Sequence, residues 1–581
     1  MIARAQYESF KPLKGPPRLR EFLALDTEDD QRGYGPGTGF YLGVVWSAAG
    51  GAVYTRRHQL IRHLASSRWG GCWCACHNLE YDALNVFGPE ELVRLSPCFS
   101  GSKLVGLRLR VSPGEGPKSF LHFFDTSAFM PQSLKKLARE LLNMEKLEAN
   151  LAAGDRRVTR QRIDYCRRDA EICWRLAHYI QDGLNALGGQ LQLTAASSSM
   201  DLYRRRYMHG EIPCLPEAVQ RDLHKGYAGG RVECFRLGDF KGRLYGSDFN
   251  GMYASCMIDS RLPEIGTFGA KRELDLSREG MAHCRVTVPA HLWAGPLPQK
   301  GVKLTFPVGR LAGWWCFNEL RAALNSGCSI EGVNEIYYST RSEPYLREMM
   351  LALRAVRENP DTPPAVNGLA KLCMNSLYGK WAQLAEDFEY MTWGRYLARR
   401  RAGELGGLDL DRTQLFPHLK LVKAVWPASF PRHSNVIWAA CITAAARGKL
   451  YPHLDESTSY YCDTDSVLGE RRYPETKSLG ALAFKDAYAR LVIRGNKLYA
   501  GLSGKEWEAH AKGVPRDKAL QAVMEPGARI ESRRPVKLRT ALKRGLAANR
   551  WLACFKVLDA PYDKRTVTAD GRTRPLEVKQ W

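Results

Sequence analysis

Apolar and polar positions follow two different periods in residues 1–190, and the predicted elements follow from them. The apolar run 22–25 precedes two acids and predicts a short strand. The segment 165–174 has helical spacing instead. Strand-like, loop and helical segments alternate through this region, which predicts an α/β unit.

Acidic residues accompany these elements in three clusters. Asp26 and Glu28 are two positions apart, so both lie on one face of the strand. Asp82 follows a second strand-like segment, and Tyr165 precedes Asp169 by one helical turn. Carboxylates ordinarily just solvate a surface. Three clusters in this order instead predict a 3′–5′ exonuclease, in which the four acids hold two metal ions and the tyrosine orients the attacking water.

A second acidic motif, residues 461–466, combines β-forming residues with two carboxylates. We expect a β-hairpin whose tip presents Asp463 and Asp465, and an Asp-rich turn is the plain alternative. Asp248, which follows another strand-like segment, is the partner acid that this pair needs. Nucleotidyl transfer requires such carboxylates because they hold two Mg²⁺ ions, about 3.5–4 Å apart, that clamp the attacking and leaving oxygens.

Two further motifs suit contacts with phosphates and bases. Lys371, Asn375 and Tyr378 are spaced i, i+4 and i+7, which places them on one face of a helix. Such a face suits a triphosphate and a nascent base pair, although an amphipathic surface helix has the same spacing. Tyr227 begins a motif with two glycines, which allow the backbone to approach a phosphate chain closely. A tight turn is nearly as good an interpretation.

Composition restricts the partners. A chain of 581 residues is too long for one hydrophobic core and predicts several domains. The formal net charge of +24 indicates a polyanionic partner, and nucleic acid is the simplest candidate. No apolar run approaches the ~20 residues of a membrane span, so no membrane partner is expected. The 16 cysteines lack paired CxxC spacing, which is typical of reduced thiols and a cytoplasmic location.

The order of the motifs resembles that of family B DNA polymerases. DTE, HNLEYD and YCRRD are similar to the three exonuclease motifs, and DFNGMY, KLCMNSLYG and YCDTDS are similar to polymerase motifs A, B and C. YAGG and KLY resemble the template-binding and primer-terminus motifs of the protein-primed subgroup, the bacteriophage phi-twenty-nine type. The motifs are colinear and extend over nearly the whole chain.

The resemblance implies a multidomain protein with α/β and α+β parts. A ribonuclease-H-like 3′–5′ exonuclease domain occupies residues 1–190 and precedes a right-hand polymerase with two terminal-protein-region insertions. The implied polymerase parts are the palm at 191–260 and 431–530, the first insertion at 261–346, the fingers at 347–382, the second insertion at 383–430 and the thumb at 531–581.

The resemblance also implies roles for individual residues. The implied metal ligands are Asp248, Asp465 and the carbonyl of Phe249 in the polymerase site, with Asp463 as a neighbouring acid, and Asp26, Glu28, Asp82 and Asp169 in the exonuclease site. The implied nucleotide contacts are Tyr253 as a steric gate against a ribose 2′-OH, the cations Arg357 and Lys371, then Asn375, and Tyr378 over the nascent pair. The implied DNA contacts are Tyr227, Gly229 and Gly230 for the template, Lys497 and Tyr499 for the primer, and Asn78, Tyr81, Ser133 and Leu134 for a single strand, with Lys146 as a supporting catalytic lysine.

Two positions depart from the family pattern. Ala254 stands where motif A usually has a proline, and Gly251 replaces a small hydroxyl residue or alanine. A looser nucleotide pocket is expected from these departures.

The implied function is a DNA-directed DNA polymerase with proofreading that is protein-primed, processive and strand-displacing, and that replicates a linear viral or plasmid genome. Two Mg²⁺ ions per active site, replaceable by Mn²⁺, are the implied cofactors. A DNA template-primer, dNTPs and a terminal protein are the implied partners of a monomer. Two alternatives stay open: a polymerase that makes its own primer, and a nuclease or repair factor with vestigial polymerase motifs. The second alternative is disfavoured because Lys371, Asn375 and Tyr378 form an intact stripe, the 371–378 stripe, on one predicted helix face.

Overall fold

The computed structural model describes residues 8–30, 39–112, 119–149, 154–271, 273–546 and 551–580. Two seven-stranded sheets form the framework, and a five-stranded sheet, a three-stranded sheet and several two-stranded ribbons are attached to it. None of the helices in these residues has the length and apolar character needed to cross a membrane. All 16 cysteines are free thiols.

The first sheet contains the predicted strand before Asp26. Its strands, in spatial order, are Gly50–Tyr54, Phe40–Ser47, Phe22–Asp29, Trp73–Cys76, Phe120–Asp125, Lys103–Arg110 and Cys98–Ser100. The three central strands run parallel and are mostly buried, as expected for strands covered on both faces. The helices of this unit are Arg57–Leu64, Leu79–Val86, Gly88–Leu92, Leu134–Leu142 and Arg160–Leu187, and the last of these packs on the central strands.

The second sheet contains the predicted hairpin. Its strands, in spatial order, are Val232–Cys234, Ser459–Asp463, Ser466–Gly469, Gly238–Phe249, Leu482–Gly495, Leu498–Ser503 and Glu506–Ala511. Asp463 pairs with Ser466, which leaves a two-residue loop and confirms the hairpin. The helices Ala195–Leu202, Glu217–Gly226, Met252–Asp259, Arg347–Glu358, Pro364–Lys380 and Val436–Leu450 share the largest hydrophobic core with this sheet, and Ala519–Met524 packs on its last strands.

The two long intervals between the motifs are folded modules. The first contributes the strands Phe268–Lys271, Ser329–Ser339, Glu279–Val288 and Val308–Cys316 and the helix Phe317–Asn325. The second contributes the strands Ala385–Thr392, Leu421–Ser429 and Gln414–Phe416 and the helix Trp393–Arg401. Each module has a small hydrophobic core of its own.

The C-terminal segment 531–581 divides between two places. The ribbon Ile530–Pro535 with Trp551–Lys556 and the helix Leu538–Arg544 join the first unit, since Leu538 and Leu542 lie in its core. The hairpin Arg565–Val567 with Thr573–Pro575 instead lies on the edge of the second sheet, and Glu577–Val578 pairs with the first module. The remaining ribbons are Ser9–Phe10 with Ile212–Pro213, Leu262–Pro263 with Ser342–Glu343, and Gln299–Lys300 with Leu304–Thr305.

A close helix contact joins the two large units. Helix Arg160–Leu187 packs against helix Pro364–Lys380, and Gly183 lies at the contact. A Cβ added to Gly183 would lie 3.1 Å from the carbonyl oxygen of Ala365, so a larger residue would push the helices apart. The helix that carries Tyr165 and Asp169 therefore touches the helix that carries the 371–378 stripe.

Two candidate carboxylate centres

The first centre lies where two neighbouring strands of the second sheet meet the hairpin turn. Strand register places Asp248 opposite Ser466, the residue after Asp465. The Phe249 amide donates a 2.7 Å hydrogen bond to the Asp465 carbonyl. Thr464 completes the tight turn with a left-handed backbone at φ 63°. Backbone geometry thus holds the carboxylates of Asp248 and Asp465 side by side.

These two acids have little local compensation for their charge. Burial, and then the charge of Asp248, raises the pKa of Asp465 to about 6. Burial also raises the pKa of Asp248, and Lys485, 4.0 Å from its carboxylate, opposes that rise. Carboxylate and carbonyl oxygens are the donors that Mg²⁺ and Mn²⁺ prefer. The residues present therefore fit the divalent cations that the resemblance implies.

Asp463 is in a different environment from its neighbour two residues later. Its carboxylate lies 3.2 Å from the Lys497 ammonium and accepts a 3.1 Å hydrogen bond from the Tyr461 hydroxyl. Lys497 also donates its backbone N–H to Tyr461, and the Tyr499 ring lies 5.1 Å from the Tyr461 ring. The structure thus brings the predicted primer motif to Asp463. It leaves Asp465 as the acid that faces Asp248.

The glycine motif packs directly on the hairpin turn. A Cβ on Gly230 would lie 2.6 Å from the Thr464 side chain, so this position requires glycine. A Cβ on Gly229 would meet no atom within 4 Å. The sequence does not single out Arg447, whose guanidinium donates to the Gly229 carbonyl at 2.7 Å and pairs with Glu319 at 2.6 Å. The buried Arg447–Glu319 ion pair therefore holds the backbone of the glycine motif in place.

Two aromatic rings lie near the first centre: burial raises the pKa of Tyr378, and Asp465 is close enough to raise it further. Tyr253 and Tyr378 stack face to face, with centroids 4.1 Å apart and planes 7° from parallel. Lys371 and Asn375 are exposed on the helix that carries Tyr378, while its opposite face is buried, which confirms the predicted stripe. Among the described residues, neither Lys371 nor Arg357 has a carboxylate within ion-pair distance. Both cations are therefore available to an anionic ligand.

The backbone explains one departure from the family pattern. Gly251 has φ 58°, in the left-handed region that favours glycine, and immediately precedes the helix Met252–Asp259. A Cβ there would lie 2.8 Å from Leu479. Gly251 thus allows the helix to begin beside Tyr253, and this backbone requirement explains the glycine without a looser nucleotide pocket.

The second centre lies on the first sheet. The carboxylates of Asp26 and Glu28 and the thiol of Cys166 lie within 4.8 Å of one another. Burial, followed by repulsion from Asp169, raises the pKa of Asp26 to about 8. Burial and the charge of Asp26 also raise the pKa values of Glu28 and Asp82. The four predicted acids are therefore close enough to repel one another, as a cation-binding cluster does.

Contacts around this centre orient individual acids. Asp82 accepts hydrogen bonds from the Thr27 backbone at 3.0 Å and from its hydroxyl at 2.8 Å. Lys146 donates to the Tyr165 hydroxyl at 2.9 Å and also to Asp169. The predicted supporting lysine therefore contacts both residues of the helical cluster. Sequence reasoning missed Thr27, although it stands between the two acids of the first cluster.

Tyr81 and Asn78, which are expected to hold a single strand of DNA, make hydrogen bonds to two different carboxylates. Tyr81 donates from its hydroxyl to Asp29 at 2.7 Å, and Trp551 of the C-terminal ribbon donates to the same carboxylate at 3.1 Å. Asn78 is exposed with φ 80° and donates its backbone N–H to Asp125 at 3.0 Å. No local sequence signal connects Trp551 with residues this distant in the chain.

Ser133 and Leu134 are parts of a helix start. The Ser133 hydroxyl accepts from the Lys136 backbone and caps helix Leu134–Leu142. Leu134 is only 9% exposed and belongs to the hydrophobic core. The structure therefore gives both residues structural roles, and leaves Leu134 little surface for a DNA strand.

The chain matches known DNA polymerases in sequence. A family described as DNA polymerase type B, organellar and viral, matches residues 121–395. A DNA-directed DNA polymerase of Enterobacteria phage PRD1 is 25% identical over 350 residues, which are 56% of this chain and 59% of the phage protein. A probable DNA polymerase of Neurospora intermedia is 23% identical over 337 residues, which are 53% of this chain and 34% of that protein. The matches thus span less than two thirds of these relatives.

The fold matches over a longer range. Phi29 DNA polymerase in complex with primer-template DNA and incoming nucleotides has a TM-score of 0.71 and 14% identity, over 93% of this chain and 100% of that one. The same polymerase with primer-template DNA alone has a TM-score of 0.72. This likeness shows a multidomain α/β fold. With the sequence matches, it confirms the resemblance to the phi29-type polymerases.

Divalent cations should stabilise the protein more at about pH 7.5 than at about pH 5.5. Without a cation, stability falls as pH rises from the unfolded pKa of these acids towards their raised folded pKa, because the unfolded chain releases its protons first. A bound cation offsets that loss, and it binds the deprotonated acids. We expect Mn²⁺ to raise the melting temperature, with the larger shift at the higher pH, as measured by differential scanning fluorimetry.

The test variant combines Asp26→Asn with Asp465→Asn and so removes one acid from each centre. The control variant, Asp411→Asn, removes an exposed acid elsewhere. The first should show a much smaller cation effect, and the second should behave as the unmodified protein does. An equal Mn²⁺ effect at both pH values would contradict the assignment of these acids to cation binding.

Proposed function

We propose that this chain is a DNA-directed DNA polymerase of family B, of the protein-primed type, with a 3′–5′ proofreading exonuclease. The observation that carries the proposal is the pair Asp248 and Asp465, held side by side by strand register and one backbone hydrogen bond. The stacked tyrosines support a nucleotide substrate, and so do Lys371 and Arg357, which have no carboxylate within ion-pair distance among the described residues. The names of the relatives support the same reaction class.

In nucleotide addition, Asp248 and Asp465 hold the divalent cations, and the Phe249 carbonyl is a further donor. The chemistry that two Mg²⁺ or Mn²⁺ ions supply there is a lowered pKa of the primer 3′-hydroxyl and neutralisation of charge at the α-phosphate. Lys371 and Arg357 balance the charge that develops on the pyrophosphate leaving group.

Two rings select the nucleotide. Tyr253 is held by its stack on Tyr378, so its position beside the incoming sugar is fixed and a ribose 2′-hydroxyl is excluded. Tyr378 also packs against the nascent base pair, and Asn375 lies on the same exposed helix face.

Excision takes place at the second centre, in the unit built on the first sheet. Asp26, Glu28, Asp82 and Asp169 hold the cations, and Tyr165, anchored by Lys146, orients the attacking water. The 3′ end of a frayed strand lies against Asn78 and Tyr81. The buried Asp82 keeps its orientation through Thr27, so substrate binding does not have to order it.

The proposed partners are a DNA template-primer, dNTPs and a terminal protein that supplies the priming hydroxyl. A net charge of +24 suits the DNA phosphates, and phi29 DNA polymerase, which has a similar fold, forms a complex with primer-template DNA and incoming nucleotides. We assign the first sheet and its helices to the exonuclease, the second sheet to the palm, helices Arg347–Glu358 and Pro364–Lys380 to the fingers, and the two modules to the terminal-protein regions.

Single acid substitutions should separate the two activities. Asp465→Ala should lower primer extension by about 10³-fold or more, because it removes several kcal/mol of metal-based stabilisation of the transition state, and should spare excision. Asp169→Ala should have the opposite effect. Extension of a primed template and degradation of a labelled single strand measure the two rates. Loss of both activities in either variant would rule out two independent centres.

The two glycines of the YAGG motif should differ in their tolerance of alanine. Gly230→Ala should slow extension by about 10²-fold, because the new Cβ pushes the Thr464 turn away from Asp248. Gly229→Ala is the comparison within the motif and should leave kcat within about threefold, since its Cβ meets no protein atom within 4 Å, whereas a loss of the template contact expected of Gly229 should appear in the KM for the primer-template. Steady-state kinetics on one primer-template distinguishes the two. Equal effects would mean that the turn does not depend on this contact.

Strand displacement and the priming mode need one further experiment. On a singly primed circular single-stranded template, with template in large excess, we expect products many circles long. No product is expected in a lane without primer. Products that end at one circle would contradict displacement, and product in the unprimed lane would favour the alternative, a polymerase that makes its own primer.

A further inference from the structure

A buried Arg-Glu-Arg cluster lies beside the turn that carries Asp463 and Asp465. Arg231, Glu233 and Arg565 are each at most 1% exposed. The Arg231 guanidinium lies 2.6 Å from Glu233, and the Arg565 guanidinium approaches the other carboxylate oxygen to 3.6 Å. The cluster thus connects the C-terminal hairpin with the edge strand of the second sheet.

The edge strand transmits the position of this cluster to the turn. Strand Val232–Cys234 pairs with Ser459–Asp463, with Glu233 opposite Cys462. The Thr464 amide donates a 2.7 Å hydrogen bond to the Arg231 carbonyl. Any shift of the backbone at 231–233 therefore moves the loop between the two motif acids.

The C-terminal segment also supplies partners for this edge strand. The Cys234 amide donates to the Tyr562 hydroxyl at 3.0 Å, and its carbonyl accepts from the Thr573 hydroxyl at 2.8 Å. Lys564 donates to the Val232 carbonyl at 3.0 Å. These side chains take the place of a further strand and satisfy backbone groups that an edge otherwise leaves open.

Arg565 is fixed independently of Glu233. Its guanidinium donates to the Trp293 carbonyl at 2.7 Å and to the Thr573 hydroxyl at 2.8 Å. Glu233 has no other cation than the two arginines within ion-pair distance in the described residues. Removal of Arg565 would leave one oxygen of a fully buried carboxylate without its ion pair, and such losses are costly.

We propose that Arg565 is a positioning residue for nucleotide addition. Its charge stabilises the buried Glu233 carboxylate, Glu233 and the Gly295 carbonyl hold the Arg231 guanidinium, and the Arg231 carbonyl anchors the Thr464 turn beside Asp465. The proposal rests on the polymerase function proposed above. It makes synthesis depend on the C-terminal hairpin, whereas the exonuclease centre, on the other sheet, does not depend on it.

The test compares Arg565→Met and Arg565→Lys with Arg574→Met. Arg574 lies next to Thr573 in the same hairpin, and its side chain is exposed. We expect Arg565→Met to lower kcat for dNTP incorporation by about 10- to 100-fold and to raise the half-saturating Mg²⁺ concentration for incorporation. Excision of a single strand should stay within about twofold of the unmodified protein. Arg565→Lys should be intermediate, and Arg574→Met unchanged.

Two outcomes would overturn the proposal: incorporation by Arg565→Met at the unmodified rate and Mg²⁺ dependence, or equal losses of incorporation and excision in both Arg565 variants. The second outcome would mean that the hairpin only maintains the fold. If Arg565→Met does not fold, the ratio of the two activities in Arg565→Lys decides in the same way. Failure of the unmodified protein to extend a primer would contradict the polymerase function instead.

Discussion

The mutual repulsion of buried carboxylates is the constraint on which both centres depend. After burial, the charge of Asp169 disfavours the ionisation of Asp26, the charges of Asp26 and Asp169 disfavour that of Glu28, and the charge of Asp248 disfavours that of Asp465. Acids on mobile loops would turn away from each other into water. Here they stand on paired strands, on packed helices and, for Asp465, in a two-residue turn fixed by a backbone hydrogen bond, so the fold itself keeps them together despite their charge.

The two centres meet this constraint in different ways. In the first, antiparallel pairing and the Phe249 hydrogen bond fix the backbone, and Gly230 lets a neighbouring loop press on the turn. In the second centre, side chains largely set the orientation of the acids, because Thr27 orients Asp82 and Lys146 contacts Asp169. A backbone-based centre tolerates changes in side chains but not in glycine. A centre held by side chains is instead sensitive to substitution of the side chains that orient its acids.

The centres are mechanically connected as well as chemically distinct. Gly183 allows the helix of Tyr165 and Asp169 to pack on the helix of Lys371. On another side of the molecule, Leu538 and Leu542 from the C-terminal segment share the core of the first sheet with Leu419 and Leu421 from the second module. Packed cores transmit displacement, so a shift of either centre would act on elements that also contact the unit of the other centre.

Local patterns in the sequence were enough to predict that the acids at 26 and 28 share a strand face, that the residues at 371, 375 and 378 share a helix face, and that residues 461–466 form a hairpin. Strand and helix periods place such residues on one face wherever the element lies. The packing of distant segments, in contrast, buries Leu134, pairs Lys497 with Asp463, and brings Arg565 to Glu233 from a position more than three hundred residues away. These contacts join segments whose local patterns are independent, and they follow from how whole layers pack, which no short stretch of sequence encodes.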